Sequence, residues 1–234
     1  MNTSSNTYTV VYASVMVVIV AFLLAFTSTV LKPKSDKNEE IDKKKQILAS
    51  LNIRDIQNEN IEAKYAEVVL SDMIIDTLGN VKAEKGGFDV KKKDINPENL
   101  PVYMCKVDGV DKIVVPVVGK GLWGGIWGYV AVDTDKMGTV YGAYFSHESE
   151  TAGLGAIIAE YEGFQKQFAG KTIYNESGDA IALSVLKAGK KVDGVGVNNR
   201  CDAITGATLT SNGVNDMLHD SLKKYMKFLK NNAK

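Results

Sequence analysis

The residues with the clearest chemical potential lie together near the C-terminal end, as Asp202-Ala203-Ile204-Thr205-Gly206-Ala207-Thr208-Leu209-Thr210-Ser211. The string reads as two residues of β-like chain, a Gly-Ala turn ringed by threonines, and then a run with helical spacing. Gly206 supplies the unusual backbone angles of a turn, and Ser211 is the expected N-cap of the last helix. Hydroxyls and unpaired backbone N–H groups are thereby gathered where a helix begins. Such a place suits a phosphate, because orphan amides and the helix dipole both favour an anion. On these residues alone, a plain strand-to-helix turn with Thr210 incidental stands level with a phosphate site.

Two further glycine-rich blocks carry polar or aromatic groups. His147-Glu148-Ser149-Glu150-Thr151-Ala152-Gly153-Leu154-Gly155 taken by itself reads as a solvated loop between a strand and a helix. His147 is expected to be structural, since no Cys or second His stands at metal-ligand spacing and His219 lies in the terminal helix. Gly119-Lys120-Gly121-Leu122-Trp123-Gly124-Gly125-Ile126-Trp127-Gly128 holds both tryptophans, whose usual fate is core packing. A dinucleotide-binding reading of its Gly-x-Gly fails, because no βαβ unit surrounds it. Lys120 is expected to be an exposed lysine.

In this order the blocks resemble a known family. Asp202 to Val214 is similar to the flavinylation site of covalent FMN-binding-domain proteins. These include the C subunit of the sodium-translocating NADH:quinone oxidoreductase and the G subunit of the ion-translocating ferredoxin oxidoreductase complex. His147–Gly155 resembles that family's His-x-x-Glu-Thr-Pro-Gly-Leu-Gly segment, and Gly119–Gly128 its Gly-x-Gly-x-Trp-Gly segment. The resemblance implies that a flavin transferase joins the FMN moiety of FAD to the hydroxyl of Thr210. It implies an FMN site of Thr205, Gly206, Ala207, Thr208 and Ser211 with Thr210. Glu150, Thr151, Gly153, Leu154 and Gly155 would lie against the flavin, with Glu150 and Thr151 bonding ring or ribityl atoms. Gly121, Leu122 and Trp123 would make room for and contact the ring. Thr205 stands where serine is common, and Ala152 replaces a proline, which loosens that loop. Length and the Thr-Leu-Thr-Ser-Asn-Gly run favour the sodium-pump protein over its ferredoxin-linked relative. A stand-alone flavoprotein reductase and a non-redox anchored binding module, in which Thr210 only caps a helix, are the other readings.

The elements that must position these blocks are legible in outline. Val102–Val107, Lys112–Val118, Tyr129–Val132 and Thr139–Ser146 are β-rich and bounded by turns such as Asp108-Gly109 and Met137-Gly138, which predicts an antiparallel meander. Ile61 to Ile75 reads mostly as helix. Ile157 to Phe168 reads as a helix with Ile158, Tyr161, Phe164 and Phe168 on one face. Ala180–Leu186 and Lys191–Val197 read as further strands. Val214, Leu218, Leu222, Tyr225 and Leu229 form the core-facing stripe of the last helix. Strands followed by helices predict an α+β fold, an antiparallel sheet with flanking helices, on a single N-terminal transmembrane helix, and the resemblance implies that this is an FMN-binding domain.

The chain has 234 residues and formal net charge zero, which gives no support to a nucleic-acid partner. Val10 to Leu31 is an uncharged run of about 22 residues, long enough for a bilayer core of about 30 Å. It is too long for a signal-peptide core, and no basic residue precedes it, so an uncleaved anchor is expected. The expected organisation is a tail over 1–9, a transmembrane anchor over 10–31, a charged helical stalk over 32–60 and a folded domain over 61–234, which the resemblance implies is an extracytoplasmic FMN-binding domain. The resemblance implies a single pass through a bacterial inner membrane, with the other membrane subunits of the pump as partners. Lys32, Lys34 and Lys37 pull against that orientation by the positive-inside rule. The span carries no Asp, Glu, His, Lys or Arg, and the resemblance implies that ion passage belongs to partners. Cys105 and Cys201 sit in no pattern that demands a disulfide, and one bond or two buried thiols are both compatible with the sequence.

Overall fold

The computed structural model describes residues 5–134 and 138–233. The expected turn residue Met137 and the first four residues of the tail lie outside the described residues. The chain divides into two units, Met1–Lys43 and Lys44–Lys234.

The first unit is helical. Helix α1 runs Asn6–Ser50, so it begins ahead of the apolar run. Val17, Phe22, Leu24 and their neighbours expose their side chains all round it. Its hydroxyls turn inward on the backbone; Thr29 Oγ1 donates to the Ala25 carbonyl at 2.8 Å. Among the described residues this is one helix long and apolar enough to cross a membrane, by length and composition.

The second unit is built on a sheet. Among the described residues, β1 (Val69–Ile75), β2 (Val81–Ala83), β3 (Leu100–Val107), β4 (Val110–Lys120), β5 (Gly125–Asp133) and β6 (Val140–His147) pair in the order β2-β1-β3-β4-β5-β6. Every pairing in this sheet is antiparallel, and β3 to β6 form the expected meander. The last helix of the chain, Thr208–Asn231, covers one face. Its residues Val214, Leu218, Leu222, Tyr225 and Leu229 are buried, as the stripe requires, with Val115, Val117, Val130 and Phe145 in one core. The opposite face carries Tyr103, Val114 and Ala131, cross-strand neighbours that are all fully buried. Gly142, beside Ala131, is the close-approach point there: a Cβ would lie 2.4 Å from the Ser50 carbonyl oxygen. Ile47, Leu48 and Leu51, which surround that contact in sequence, are buried as well.

Four expectations about elements are corrected. Ile61–Ile75 is helix α2 only over Ile61–Val68 and continues as β1. The run Val68 to Ile75 is apolar at both helical and alternating spacing, and pairing with β3, with Asp72 opposite Tyr103, decides for strand. Asp72 then anchors the neighbouring turn by accepting the Gly86 and Phe88 N–H groups. Ile157–Phe168 is two 3-10 turns, Gly155–Ala159 and Gln165–Phe168. Ile158, Phe164 and Phe168 are still buried, the phenylalanines packed at steep angles on Phe145 and each other, but Tyr161 stacks on Arg54 at 4.1 Å. Two rings packed about Phe145 and on each other are reached here from two tight turns and not from one continuous helix. The Thr208–Asn231 helix is thus α3.

Only Ser184–Leu186 of the expected strand Ala180–Leu186 pairs, as β7. Lys191–Val197 is not a strand, because Gly189 and Gly194 adopt positive φ and turn the chain. The partner of β7 is β8 (Arg200–Asp202), in parallel register with Val185 opposite Cys201. Cys105 and Cys201 are both buried free thiols, and burial pushes each up to about 12, so neither is a thiolate at neutral pH.

Candidate functional site

The three glycine-rich blocks converge where α3 begins. The chain leaves β8, and Gly206 turns it at φ +83°, a backbone angle that favours glycine. Helix α3 starts at Thr208 with Ala207 in the N-cap position, ahead of the expected start. Ser211 is therefore not the cap. It lies in the first turn, fully buried, and its Oγ accepts the Ile204 N–H at 3.0 Å, tying the turn to the helix. The first-turn amides are left without a side-chain cap, and Thr210 sits among them.

The β4–β5 hairpin lies beside this helix. Ser221 Oγ accepts the Val118 N–H at 3.2 Å. Gly213 and Gly119 permit the approach: a Cβ on Gly213 would lie 2.3 Å from the Lys120 carbonyl oxygen, and one on Gly119 would lie 2.6 Å from Met217 Cβ. The hairpin end is a tight turn closed by the Gly121 N–H on the Gly124 carbonyl at 2.9 Å. Leu122 and Trp123 project from it, and Trp123 is 66% exposed. Trp127 lies in β5, its Nε1 donating to Gln46 Oε1 at 3.1 Å. Lys120 is exposed.

The third block leaves β6 at His147, whose Nδ1 accepts the Glu150 N–H at 3.2 Å. That bond fixes the backbone from which the Glu150 side chain turns inward. Thr210 Oγ1 donates to Glu150 Oε2 at 2.5 Å, and the Trp123 N–H donates to Glu150 Oε1 at 2.9 Å. One carboxylate thus joins all three blocks. Glu150 is only 7% exposed and Thr210 only 2%. Burial pushes the Glu150 carboxyl up, but bonds from Thr210 and from the N–H groups of Trp123, Leu122 and Gly124 outweigh it. They hold the group below the ordinary carboxylate value and keep it ionised at neutral pH.

Two glycines make room for this arrangement. A Cβ on Gly155 would lie 2.5 Å from Glu150 Oε2 and 2.6 Å from Thr210 Oγ1. A Cβ on Gly121 would lie 2.4 Å from Glu150 Oε1. The loop between is held by its own backbone, with the Leu154 and Ala156 N–H groups both on the Thr151 carbonyl at 3.1 Å. Gly153 takes a positive φ of 73° at its exposed tip. Leu154 reaches across to the turn, where a Cβ on Gly206 would meet its Cδ2 at 3.2 Å.

The residues expected at a flavin site therefore fall into two groups. Thr210, Glu150, Gly155, Gly121, Ala207 and Ser211 lie inside the junction. Thr205, Gly206, Thr208, Thr151, Gly153, Leu154, Leu122 and Trp123 line its surface. Leu209, 59% exposed beside Thr210, joins the surface group although no motif singled it out. An apolar side chain on the solvent side of a helix start was the available signal.

Comparison with known proteins agrees with this geometry. Residues 121–223 match the FMN-binding domain family. A Haemophilus ducreyi protein described as a C subunit of Na(+)-translocating NADH-quinone reductase is 32% identical over 91% of this chain and 87% of its own length. The chain belongs to this Na(+)-translocating NADH-quinone reductase C-subunit family. A further C subunit in the family, from Pasteurella multocida, is 31% identical over 84% of this chain and 82% of its own. The crystal structure of the Parabacteroides distasonis C subunit superposes with a TM-score of 0.77 at 39% identity, covering 85% of this chain and 96% of that one. The Shewanella oneidensis NqrC structure, at 24% identity and TM-score 0.69 over 83% of this chain and 98% of its own, shares the fold.

Proposed function

We propose that this chain is the electron-transfer C subunit of a sodium-translocating NADH:quinone oxidoreductase, carrying FMN through a phosphoester to Thr210. The observation that carries the reading is the junction itself. Thr210 is the hydroxyl bonded by the buried carboxylate that links all three blocks, inside the stretch matching the FMN-binding domain.

The residues fit the group. A phosphodiester keeps one negative charge, and the uncapped first turn of α3 offers its N–H groups and dipole, worth about 0.3–1 kcal/mol at an exposed helix end. Gly155 and Gly121 leave no side chain over the hydroxyl and carboxylate. Leu122, Trp123, Leu154 and Leu209 are exposed apolar groups around the junction, suited to a flat ring system. Attachment removes the hydroxyl hydrogen that Thr210 donates to Glu150, so that bond is given up when the ester forms. When bound, FMN supplies the redox chemistry; the chain fixes its position and retains it.

In the cell, Val10–Leu31 would anchor the chain in the inner membrane, where the exposed apolar surface of α1 meets the lipid bilayer. The folded unit would lie outside the cytoplasm, where covalent attachment prevents loss of the flavin. A flavin transferase would make the bond, and the other subunits would supply NADH oxidation, quinone reduction and sodium passage. The test is flavin fluorescence of the denatured polypeptide after co-expression with a flavin transferase. A fluorescent wild-type band and a dark Thr210→Ala band support the reading; a dark wild-type band beside a proven active transferase refutes it.

A further inference from the structure

We propose that Glu150 is a catalytic residue of the chain's own maturation, taking the hydroxyl proton of Thr210 as the phosphoester forms. This rests on the reading of Thr210 as the attachment residue.

A threonine hydroxyl is a weak nucleophile until a neighbouring base takes its proton. Thr210 has such a neighbour already in place. Its Oγ1 lies 2.5 Å from Glu150 Oε2, within the range of hydrogen bonds from a hydroxyl to a charged oxygen. The carboxylate is oriented through its other oxygen, which accepts the Trp123 N–H at 2.9 Å. Other groups are placed differently. His147 Nδ1 is occupied by the Glu150 N–H, and Lys120 is exposed to solvent. The pair is buried, so bulk water does not compete for the proton.

The step balances with a flavin dinucleotide as donor. Thr210 Oγ1 bonds to the flavin-side phosphorus, and the bond from that phosphorus to the bridging oxygen breaks. The bridging oxygen keeps the electron pair and leaves as part of AMP. The proton of Thr210 passes to Glu150, and nothing is oxidised or reduced. The transfer also removes the conflict between two anions. A neutral, protonated Glu150 beside the new phosphodiester is a hydrogen-bond donor to it, where an ionised one would repel it.

The test measures the rate of mass gain of the full-length chain incubated with flavin transferase, magnesium and FAD. Wild type, Glu150→Gln and Glu150→Asp are compared, with a thermal melt of each. Glutamine keeps the acceptor oxygen but cannot take a proton. The expected result is modification of wild type at Thr210, with Glu150→Gln slower by about 100-fold or more at matched folded fraction. If Glu150→Gln melts early, Glu150→Asp decides: modification much faster than in the glutamine variant at matched folded fraction supports the role, and equal loss overturns it. Glu150→Gln modified at the wild-type rate overturns the proposal and leaves Thr210 as the attachment residue. Wild type that gains no mass overturns both.

Discussion

Thr210 and Glu150 stand 60 residues apart in the chain and share a hydrogen bond of 2.5 Å between a buried hydroxyl and a buried carboxylate. The bond joins the first turn of α3 to the loop after β6. Through the Trp123 N–H it also reaches the β4–β5 turn. Its partners are fixed by chain geometry, while its chemistry changes completely if Thr210 becomes an ester.

Gly155→Ala places a methyl group 2.5 Å from Glu150 Oε2 and 2.6 Å from Thr210 Oγ1. The flexible carboxylate gives way before the backbone does. The expected outcome is a folded protein destabilised by about 1–3 kcal/mol, the cost of a buried hydroxyl without its partner. Flavin incorporation falls with it. Denaturant melts and intact mass after co-expression measure the two effects.

Gly213→Ala is a different kind of insult. Its new methyl would meet the Lys120 carbonyl oxygen at 2.3 Å, and that atom is backbone. Helix and hairpin must separate, at about 1–3 kcal/mol or more. Trp123 is exposed on the adjoining turn, so its fluorescence reports the shift alongside the change in denaturation midpoint.

Much of this arrangement is legible in the residues, and the rest is not for identifiable reasons. The meander is readable because runs of Val, Ile and Tyr lie between clear turns, and the α3 stripe because its apolar spacing has a single period. Val69–Ile75 reads as helix because its apolar residues satisfy both periods, and the pairing with β3 that decides between them is a tertiary fact. Ser211 suits a cap by type, but Ala207 holds that position and Ser211 turns its hydroxyl back to Ile204. The three glycine-rich blocks are visible as strings. That one carboxylate binds them together is not, because no local pattern records a contact over such a separation.

His219 and Glu150 are each expected to make stability fall in acid. Burial lowers the affinity of the His219 ring for a proton, more than Asp216 and Asp220 raise it. The unfolded chain therefore takes up that proton first, and stability declines as pH falls through the ordinary histidine value, about 6.5, toward the depressed native one. Glu150 is held below the ordinary carboxylate value, so its contribution is complete above about pH 4.3 and is lost as pH falls through the native value. His219→Gln should flatten the first region of a melting-temperature profile, and Glu150→Gln the second. An unchanged profile in either variant would rule out that group as the source.

Phe168 packs edge-on against Phe145 and Phe164 at centroid distances of 5.0 and 5.3 Å and is fully buried. Phe168→Ala should cost about 3–5 kcal/mol. The 3-10 turn over Gln165–Phe168 would loosen with it. Urea denaturation gives the energy, and hydrogen exchange at 165–168 gives the location.

The functional reading stands or falls on whether Thr210 carries FMN by a phosphoester. Intact mass with peptide mapping answers this, on wild-type chain purified after co-expression with an active flavin transferase. A single added FMN is expected, located on the peptide containing Thr210 and absent from Thr210→Ala. A wild-type chain of unmodified mass, or one carrying its flavin on another residue, would show the reading to be wrong.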